Sequence, residues 1–227
     1  KTIWKMNPLT KKLAPVKNEF LTDEEGIDKA MEKYRKYKPV DQTDREKFEH
    51  YLTTITPTIR QGIKVLRPLC ANHHIICEDV VNHKDQRVDL NFVGRSDFLI
   101  QDDQQEKSSG GFKDASQAHR LSILELKTSW QKAMKRKKDG SRSFSYAKLP
   151  SLPNKNHLKQ LSFYCIAQRP VDAKLISLTA DGSQVFHKGN CADLEPENMK
   201  NYYEELVRSA IRRERLLKRY SHINDTA

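Results

Sequence analysis

The chain has 227 residues, and its 41 lysines and arginines outnumber its 30 aspartates and glutamates, giving a net charge of +11 and a pI near 9.4. This excess favours a polyanionic partner, either nucleic acid or an anionic membrane surface. No run of apolar residues approaches the length needed to span a bilayer. Nucleic acid is the expected partner, and no membrane partner is expected. Four cysteines are too few for a disulfide scaffold, which favours a reducing, intracellular compartment.

The N-terminal part of the chain is predicted to be a helical arm. Residues 1–45 are polar and lysine-rich, and a helix is expected to begin after Thr22, whose side chain would form a capping box with Glu25. The following stretch, 44–69, is predicted to be helical, with Pro57 as a break or kink.

Residues 46–227 form the predicted folded domain. Its expected elements are strands over 74–82, 88–100 and 120–128, a helix with Asn156 as its N-cap, a hairpin that turns at Asp181–Gly182, and a final helix over 195–219. A short turn after residue 82 would join the first two strands as a hairpin. The polar segment 101–119 has no core pattern and is predicted to be an exposed loop. The alternation of strands and helices indicates an α/β or α+β core.

A cluster of cysteines and histidines lies between Cys70 and Cys77. These side chains are suitable zinc ligands. The segment also has the pattern of a strand, however, which would point His74 and Cys77 to opposite faces. We therefore expect core thiols here and not a zinc site.

The predicted strand "ILELKTSW" brings an acid and a lysine together. Glu125 and Lys127 are two residues apart, so they project from one face while Leu124 and Leu126 face the opposite layer. A carboxylate there can hold a hard divalent cation, and a lysine can orient a water beside it. The cation lowers the pKa of that water and so favours its attack on phosphorus.

A divalent cation needs a second carboxylate, and Asp97 on the preceding strand supplies it if the two strands are neighbours. Gly94, three residues earlier, permits close approach of backbone or ligand. An acid–lysine pair of this spacing is also common on solvent-exposed strands. These strands are otherwise rich in apolar residues, so the charges lie on a buried element, where charges need partners.

A helix further along the chain adds a glutamine and a tyrosine on one face, four residues apart. The residues of the combined pattern are Asp97, Glu125, Leu126, Lys127, Gln160 and Tyr164. Their order resembles the D…(D/E)-x-K…Q-x-x-x-Y signature of the RecB-like branch of the PD-(D/E)XK nuclease superfamily. "ELKTSWQK" further resembles a stretch of the mitochondrial genome maintenance exonuclease group and its phage relatives. The resemblance covers roughly residues 45–219 and does not include the arm.

The resemblance implies a restriction-endonuclease-like core, with a mixed central sheet flanked by helices. It also implies Mg²⁺ or Mn²⁺ as the cofactor. The implied metal ligands are Asp97, Glu125 and the carbonyl of Leu126. Lys127 would position the attacking water, and Gln160 and Tyr164 would orient the site or the substrate phosphate. This chain departs from the family in its longer gap between the two acids and in having Glu where the mitochondrial group has Asp.

Members of this branch carry further ligands. The family places a metal-binding His or Glu in an early helix, where "KFEHYL" offers Glu49 or His50, which are adjacent and cannot both face the site. Glu78 on the first strand is another possible carboxylate. Some members hold an iron–sulfur cluster with one early and three late cysteines. Here Cys165 lies inside the motif helix and only Cys191 lies near the end, so no iron–sulfur cluster is expected.

A basic segment joins the strand of Lys127 to the helix of Gln160. Between Lys132 and Lys148 there are seven basic residues and one acid. Basic side chains neutralise phosphates, and aromatic side chains can stack on unpaired bases. The predicted DNA contacts are Lys132, Lys135, Arg136, Lys137, Lys138, Arg142, Phe144 and Tyr146. The alternative is a solvated charged loop, but the position beside the expected cation favours DNA contact.

Together these features predict a metal-dependent DNA exonuclease that acts on single-stranded ends during replication, repair or recombination. The expected location is the host cytoplasm for a phage protein and the mitochondrial matrix for an organellar one. The alternatives are a non-catalytic nucleic-acid-binding module on the same fold and a structure-selective endonuclease. A basic interaction domain without nucleic acid would instead leave Asp97 and Glu125 far apart. The sequence specifies neither cleavage polarity nor oligomeric state, for which a monomer is the default expectation.

Overall fold

The computed structural model describes residues 3–6, 13–16, 22–71, 73–101, 121–129, 131–136, 138–140 and 142–224, and the following description concerns these residues. In chain order their helices and strands are β1 (Ile3–Met6), β2 (Leu13–Val16), α1 (Asp23–Arg35), α2 (Gln42–Cys70), β3 (His74–His83), β4 (Phe92–Gln101), β5 (Leu121–Thr128), β6 (Gln131–Arg136), β7 (Arg142–Tyr146), α3 (Lys155–Gln168), β8 (Asp172–Leu178), β9 (Ser183–Phe186) and α4 (Pro196–Asn224). No helix within these ranges is both long and apolar enough to cross a membrane. The loop predicted after β4 lies outside the described residues from position 102 onward.

Helix α1 begins as predicted. The Thr22 hydroxyl accepts a hydrogen bond from the Glu25 N–H, and the Glu25 carboxylate accepts one from the Thr22 N–H, which completes the capping box. Ile27 and Met31 of this helix pack against Ile55 of α2. Helix α1 of the predicted arm is therefore packed against α2 through apolar side chains.

Helix α2 is continuous through Pro57, so of the two predicted alternatives, a break or a kink, the structure excludes the break. A proline inside a helix costs roughly 3 kcal/mol because it removes a hydrogen bond and crowds the preceding turn. Packing on both sides of Pro57 offsets that cost, since Ile55 contacts α1 and Leu66 contacts the central sheet. The predicted domain boundary at residue 45 falls inside this helix.

The described part of the chain forms a five-stranded mixed sheet in the order β3-β4-β5-β8-β9. β5 and β8 are parallel, and the other neighbours are antiparallel. The C-terminal half of α2 covers one face, and α3 and α4 cover the other. This is the α/β arrangement of a restriction-endonuclease-like core, which confirms the predicted fold class. Both predicted hairpins are present, although the first is joined by residues 84–91 and not by a short turn.

The register of β4 against β5 positions the two acids. Leu99 pairs with Ile123 and Phe98 pairs with Leu124, and the next residues on the two strands are Asp97 and Glu125. Ile123 is fully buried beneath α3, whereas Leu124 belongs to the cluster under α2. The alternation predicted for β5 is therefore confirmed, and residues 125 and 127 face α3.

Charged side chains tie the β3–β4 connection to α4. Arg87 pairs with Asp85 at 2.7 Å and with Glu204 at 2.6 Å, and the Tyr203 hydroxyl donates to Asp85 at 2.9 Å. The Arg87 guanidinium holds the pKa of the Asp85 carboxyl well below its usual range. This network fixes the hairpin that carries Asp97 against the helical layer.

The basic segment, for which no secondary structure was predicted from the sequence, is an antiparallel hairpin, β6–β7. Asp139 and Gly140 form its turn, and Gly140 has φ of 82°, a left-handed conformation that glycine adopts without strain. Strand β6 contains Lys132, Lys135 and Arg136, and β7 contains Arg142, Phe144 and Tyr146. Lys138 is exposed at the turn, and Lys137 lies outside the described residues.

Helix α3 begins two residues earlier than predicted, because Asn154 and not Asn156 is its N-cap. The Asn154 side chain accepts a hydrogen bond from the Asn156 N–H at 2.8 Å. The last helix continues to Asn224, five residues beyond its predicted end. The core thiols expected between Cys70 and Cys77 are found only in part, since Cys70 is half-buried against the sheet and Cys77 is exposed.

Candidate active site

Two neighbouring strands bring their acids to one place. The Asp97 carboxylate on β4 accepts a hydrogen bond from the Leu126 N–H on β5, with 2.7 Å between Oδ2 and N. The Lys127 ammonium donates to Glu125 Oε1 at 2.6 Å. The acid of one strand is thus bonded to the residue that separates the acid and the lysine of the other, as expected for the D…(D/E)-x-K pattern.

Helix α3 adds the glutamine and the tyrosine of the predicted set. Lys127 Nζ also donates to Gln160 Oε1 at 2.9 Å, and Gln160 Nε2 donates to the Tyr164 hydroxyl at 2.8 Å. That hydroxyl donates to the Arg95 carbonyl at 2.8 Å and accepts from the Arg95 N–H at 3.2 Å. A continuous chain of hydrogen bonds therefore runs from Glu125 through α3 to the backbone of β4.

The Glu125 carboxylate is buried without full compensation. Its residue is only 1% exposed, and among the described residues Oε2 has no hydrogen-bond partner. Burial raises the pKa of Glu125, the hydrogen bond from Lys127 opposes that rise, and the nearby charge of Asp97 adds to it. Two acids and one lysine leave this site short of positive charge when both acids are ionised.

A divalent cation fits this deficit. The unpartnered oxygen of Glu125 and the adjacent carboxylate of Asp97 are hard donors, which Mg²⁺ and Mn²⁺ accept. No group of three or more His, Cys, Asp or Glu side chains in the described ranges is placed to hold a metal. A cation here would therefore take its remaining ligands from the backbone, water and substrate, which is common for Mg²⁺. The Leu126 carbonyl is the backbone ligand implied by the sequence pattern.

The early-helix candidates do not complete a three-ligand group with these acids in the described residues. Glu49 is exposed, and His50 is half-buried with its pKa lowered by burial. Neither forms a group of three potential ligands with Asp97 and Glu125 in the part of the chain that is described. The segment of α2 that contacts the sheet lies toward its C-terminal end and covers the face opposite Glu125.

Histidine 157 is a neighbour of the site that the sequence pattern did not single out. His157 lies three residues before Gln160 and seven before Tyr164, so all three share one face of α3. Burial lowers the pKa of His157, and the nearby charge of Lys127 lowers it further. The helical spacing in "HLKQLSFY" could have revealed this position.

A second acid–lysine pair on the sheet lacks the features of the first. Asp172 and Lys174 of β8 also lie two residues apart and form an ion pair. The Asp172 side chain is 24% exposed, compared with 1% for Glu125. No glutamine is hydrogen-bonded to Lys174 in the described residues. The same spacing is therefore found in a buried hydrogen-bonded network at Glu125 and in a partly exposed ion pair at Asp172.

Close packing at Gly94 supports the tyrosine. A Cβ at this position would lie 2.8 Å from ring carbons of Phe163 and Tyr164 and 3.0 Å from the Tyr164 hydroxyl. The glycine permits a close approach, as predicted, but the groups that approach it are two aromatic side chains and not a backbone or a ligand. Any side chain here would displace the ring that links Gln160 to β4.

We expect Gly94→Ala to destabilise the protein by about 1–3 kcal/mol, because an extra methyl group must force two buried rings aside. The same displacement should disrupt the hydrogen bond between Gln160 and Tyr164, and it should lower turnover if the chain is the nuclease that its sequence pattern predicts. Urea unfolding and steady-state kinetics measure the two effects. Gly26→Ala is the matched control, since nothing lies within 4 Å of its new methyl group and alanine is expected to stabilise α1 by up to about 1 kcal/mol. Equal stability of the two variants would contradict the packing argument.

Comparisons with known proteins leave the family open. No protein-family model and no curated protein matches this chain. A solved structure described as the crystal structure of SSO0001 aligns with 79% of this chain and 82% of its own chain, at 14% identity and a TM-score of 0.34. A likeness at this level carries no argument about function.

Proposed function

We propose that this chain is a divalent-cation-dependent nuclease that hydrolyses phosphodiester bonds in DNA, of the RecB-like PD-(D/E)XK type. One observation carries the proposal: the acids of β4 and β5, the lysine between the sheet and α3, and the Gln160–Tyr164 pair form one hydrogen-bonded cluster. A basic domain without such a function would have no reason to bury a carboxylate beside another one. The buried Glu125 oxygen that has no hydrogen-bond partner in the described residues supports its role as a cation ligand.

The residues of the cluster have distinct roles in this proposal. Asp97 and Glu125, with the Leu126 carbonyl, would hold Mg²⁺ or Mn²⁺. When bound, such an ion polarises the scissile phosphate and lowers the pKa of a water. Lys127 positions that water through its ammonium. Gln160 holds Lys127 from the helix side, so that its direction is set before substrate arrives.

The charge of the chain supports a nucleic-acid substrate. The net charge is +11, and the β6–β7 hairpin connects the strand that carries Lys127 to the helix that carries Gln160. A basic hairpin at this position can follow a phosphate backbone toward the acids. We propose single-stranded ends as the substrate, with the hairpin beside the entrance, and an intracellular, reducing compartment as the place of action.

The proposal is tested with end-labelled linear single-stranded DNA and a circular single strand of the same sequence. We expect the linear strand to be degraded from an end in Mg²⁺ or Mn²⁺, the circle to be resistant, and both to be intact in EDTA. Undiminished cleavage in EDTA would overturn the metal-dependent mechanism. Binding without cleavage in any divalent cation would favour a non-catalytic nucleic-acid-binding module. Cleavage of the circle would indicate an endonuclease.

Replacing Lys135, Arg136 and Lys138 with alanine should weaken DNA binding and flatten its dependence on salt. Each lost phosphate contact on a single strand removes about 0.7 from the log–log slope, so three contacts would remove roughly 2. These residues lie outside β4 and β5, so kcat at saturating DNA should be nearly unchanged while KM rises. Fluorescence anisotropy at several salt concentrations measures the slope. If affinity and slope match the wild type, this hairpin does not contact DNA.

A further inference from the structure

The strand β3 contains a residue in an unusual backbone conformation. Glu78 has φ of 54°, in the left-handed region that non-glycine residues rarely adopt. It lies within a ten-residue strand, where φ is normally strongly negative. Such conformations persist only where the surrounding structure requires them, and they cluster at functional sites.

Glu78 lies directly across the sheet from Asp97. Cys77 pairs with Phe98 and Asp79 pairs with Ser96, and the two residues between these pairs are Glu78 on β3 and Asp97 on β4. These two residues do not form a pair in the ladder, although the neighbours on both sides do. The unusual conformation therefore interrupts β3–β4 pairing at the acid that the proposed function needs.

The alternation of side chains between the two faces of the sheet shifts by one residue in both strands at this interruption. On one side of it, Ile76 pairs with Leu99, and both contribute to the core beneath α3 and α4. On the other side, Asp79 of the Asp79–Ser96 pair accepts a hydrogen bond from Gln168 of α3. In a regular strand, residues three apart face opposite sides, so residues 76 and 79 should not both face the same helical layer. One alternation has been lost between them.

The interruption changes the direction of the Asp97 side chain. In a regular ladder this side chain would stand perpendicular to the sheet, like that of Leu99 two residues further on. Here its carboxylate accepts a hydrogen bond from the Leu126 N–H. Backbone N–H groups lie in the plane of a sheet, so Asp97 reaches sideways toward β5 and the neighbourhood of Glu125.

We propose that Glu78 is a positioning residue whose left-handed backbone interrupts the β3–β4 ladder and thereby directs the Asp97 carboxylate toward β5. Its importance for turnover rests on the proposed nuclease function, whereas its effect on Asp97 does not. Within the described part of the chain, the contact of the Glu78 side chain is an exposed ion pair with Arg95 at 3.2 Å. Such pairs contribute little to stability, so the backbone conformation is the feature that matters.

Two substitutions at this position separate the backbone from the side chain. Glu78→Gly removes the ion pair but adopts positive φ freely, whereas Glu78→Val removes the same ion pair and strongly disfavours positive φ. Val80→Gly is the matched control, because Val80 is an exposed residue of the same strand. Glycine there should weaken the strand in the ordinary way, and it should leave Asp97 unaffected.

Hydrogen exchange of the Leu126 amide reports the direction of Asp97 without requiring nuclease activity. With selective isotopic labelling of leucine, we expect Glu78→Gly and Val80→Gly to keep wild-type protection of this amide. Glu78→Val should reduce it by roughly tenfold or more, equivalent to a shift of about 1.4 kcal/mol. If the wild type cleaves DNA, Glu78→Val should also lose roughly tenfold or more in kcat with KM little changed.

The melting temperatures provide a second test that holds even if Glu78→Val does not fold. Glu78→Gly should melt at or above the wild-type temperature because it relieves strain, and Val80→Gly should melt below it. The proposal is overturned if Glu78→Val retains wild-type protection at Leu126, or if Glu78→Gly loses protection. It is also overturned if the two glycine variants are destabilised equally. Absence of cleavage by the wild type would overturn the proposed function but leave the exchange result decisive for Glu78.

Discussion

Replacing Lys127 with alanine is expected to lower kcat on single-stranded DNA by about 100-fold or more, with little change in DNA affinity. The ammonium group contacts Glu125 at 2.6 Å and Gln160 at 2.9 Å, and the side chain is 21% exposed, so it is fixed in place and still reaches the surface of the site. A lysine held in this way can direct a water but contributes little to anchoring a long polyanion. Turnover should therefore fall while binding is retained, which single-turnover kinetics and anisotropy together measure.

Lys174→Ala is the matched control for this prediction. Lys174 lies on β8, the strand next to β5, and it is also paired with an acid two residues away on its own strand. Its side chain is 22% exposed. Its loss should leave kcat within about twofold of the wild type, because in the described residues Lys174 is hydrogen-bonded to Asp172 and not to the proposed cluster. Near-wild-type turnover in Lys127→Ala would show that Lys127 does not act on the attacking water. An equal loss in both variants would point to general destabilisation of the sheet.

Asp97→Asn and Glu125→Gln should each lower cleavage by about 1,000-fold or more, since a cation at this site supplies several kcal/mol of charge stabilisation in the transition state. Both changes preserve the shape of the side chain and remove its charge. Because burial raises the pKa of Glu125, its charged form is disfavoured in the folded protein. Glu125→Gln is therefore expected to melt at or above the wild-type temperature while losing activity.

The control for the two acids is Asp172→Asn, which removes a partly exposed carboxylate from a comparable acid–lysine pair on β8. Isothermal titration with Mn²⁺ should show binding to the wild type and to Asp172→Asn, and greatly weakened binding to Asp97→Asn and Glu125→Gln. Retained Mn²⁺ affinity in both site variants would place the cation elsewhere. Retained cleavage in either variant would remove that acid from the mechanism.

Periodicity in the sequence was sufficient to predict which face of β5 and which face of α3 carry the site residues. The alternation around Glu125 separates the residues under α3 from those under α2, and this separation is confirmed by the burial of Ile123 and Leu124 in different clusters. The four-residue spacing of Gln160 and Tyr164 places them on one helical face, and their side chains are hydrogen-bonded to each other. Local periods of two and about 3.6 residues govern both features, so a single sequence contains them.

Other features depend on contacts between distant residues and could not be predicted. The continuity of α2 through Pro57 depends on packing on both sides of the proline. The spacing of Asp172 and Lys174 matches that of Glu125 and Lys127, and only their burial distinguishes the two pairs. The β6–β7 hairpin is different, because its Asp139–Gly140 turn is a recognised hairpin signal that the basic composition of the segment obscured.

A crystal structure of the protein with Mn²⁺ and data collected at a wavelength where manganese scatters anomalously tests the proposed site most directly. We expect an anomalous peak between Asp97 and Glu125, with a carboxylate oxygen of each at about 2.0–2.3 Å from the ion. The Glu125 Oε2 atom, which has no hydrogen-bond partner in the described residues, should be one of those oxygens. A peak bound by other residues, or no peak at these two acids when cleavage in the same solution depends on Mn²⁺, would contradict the assignment.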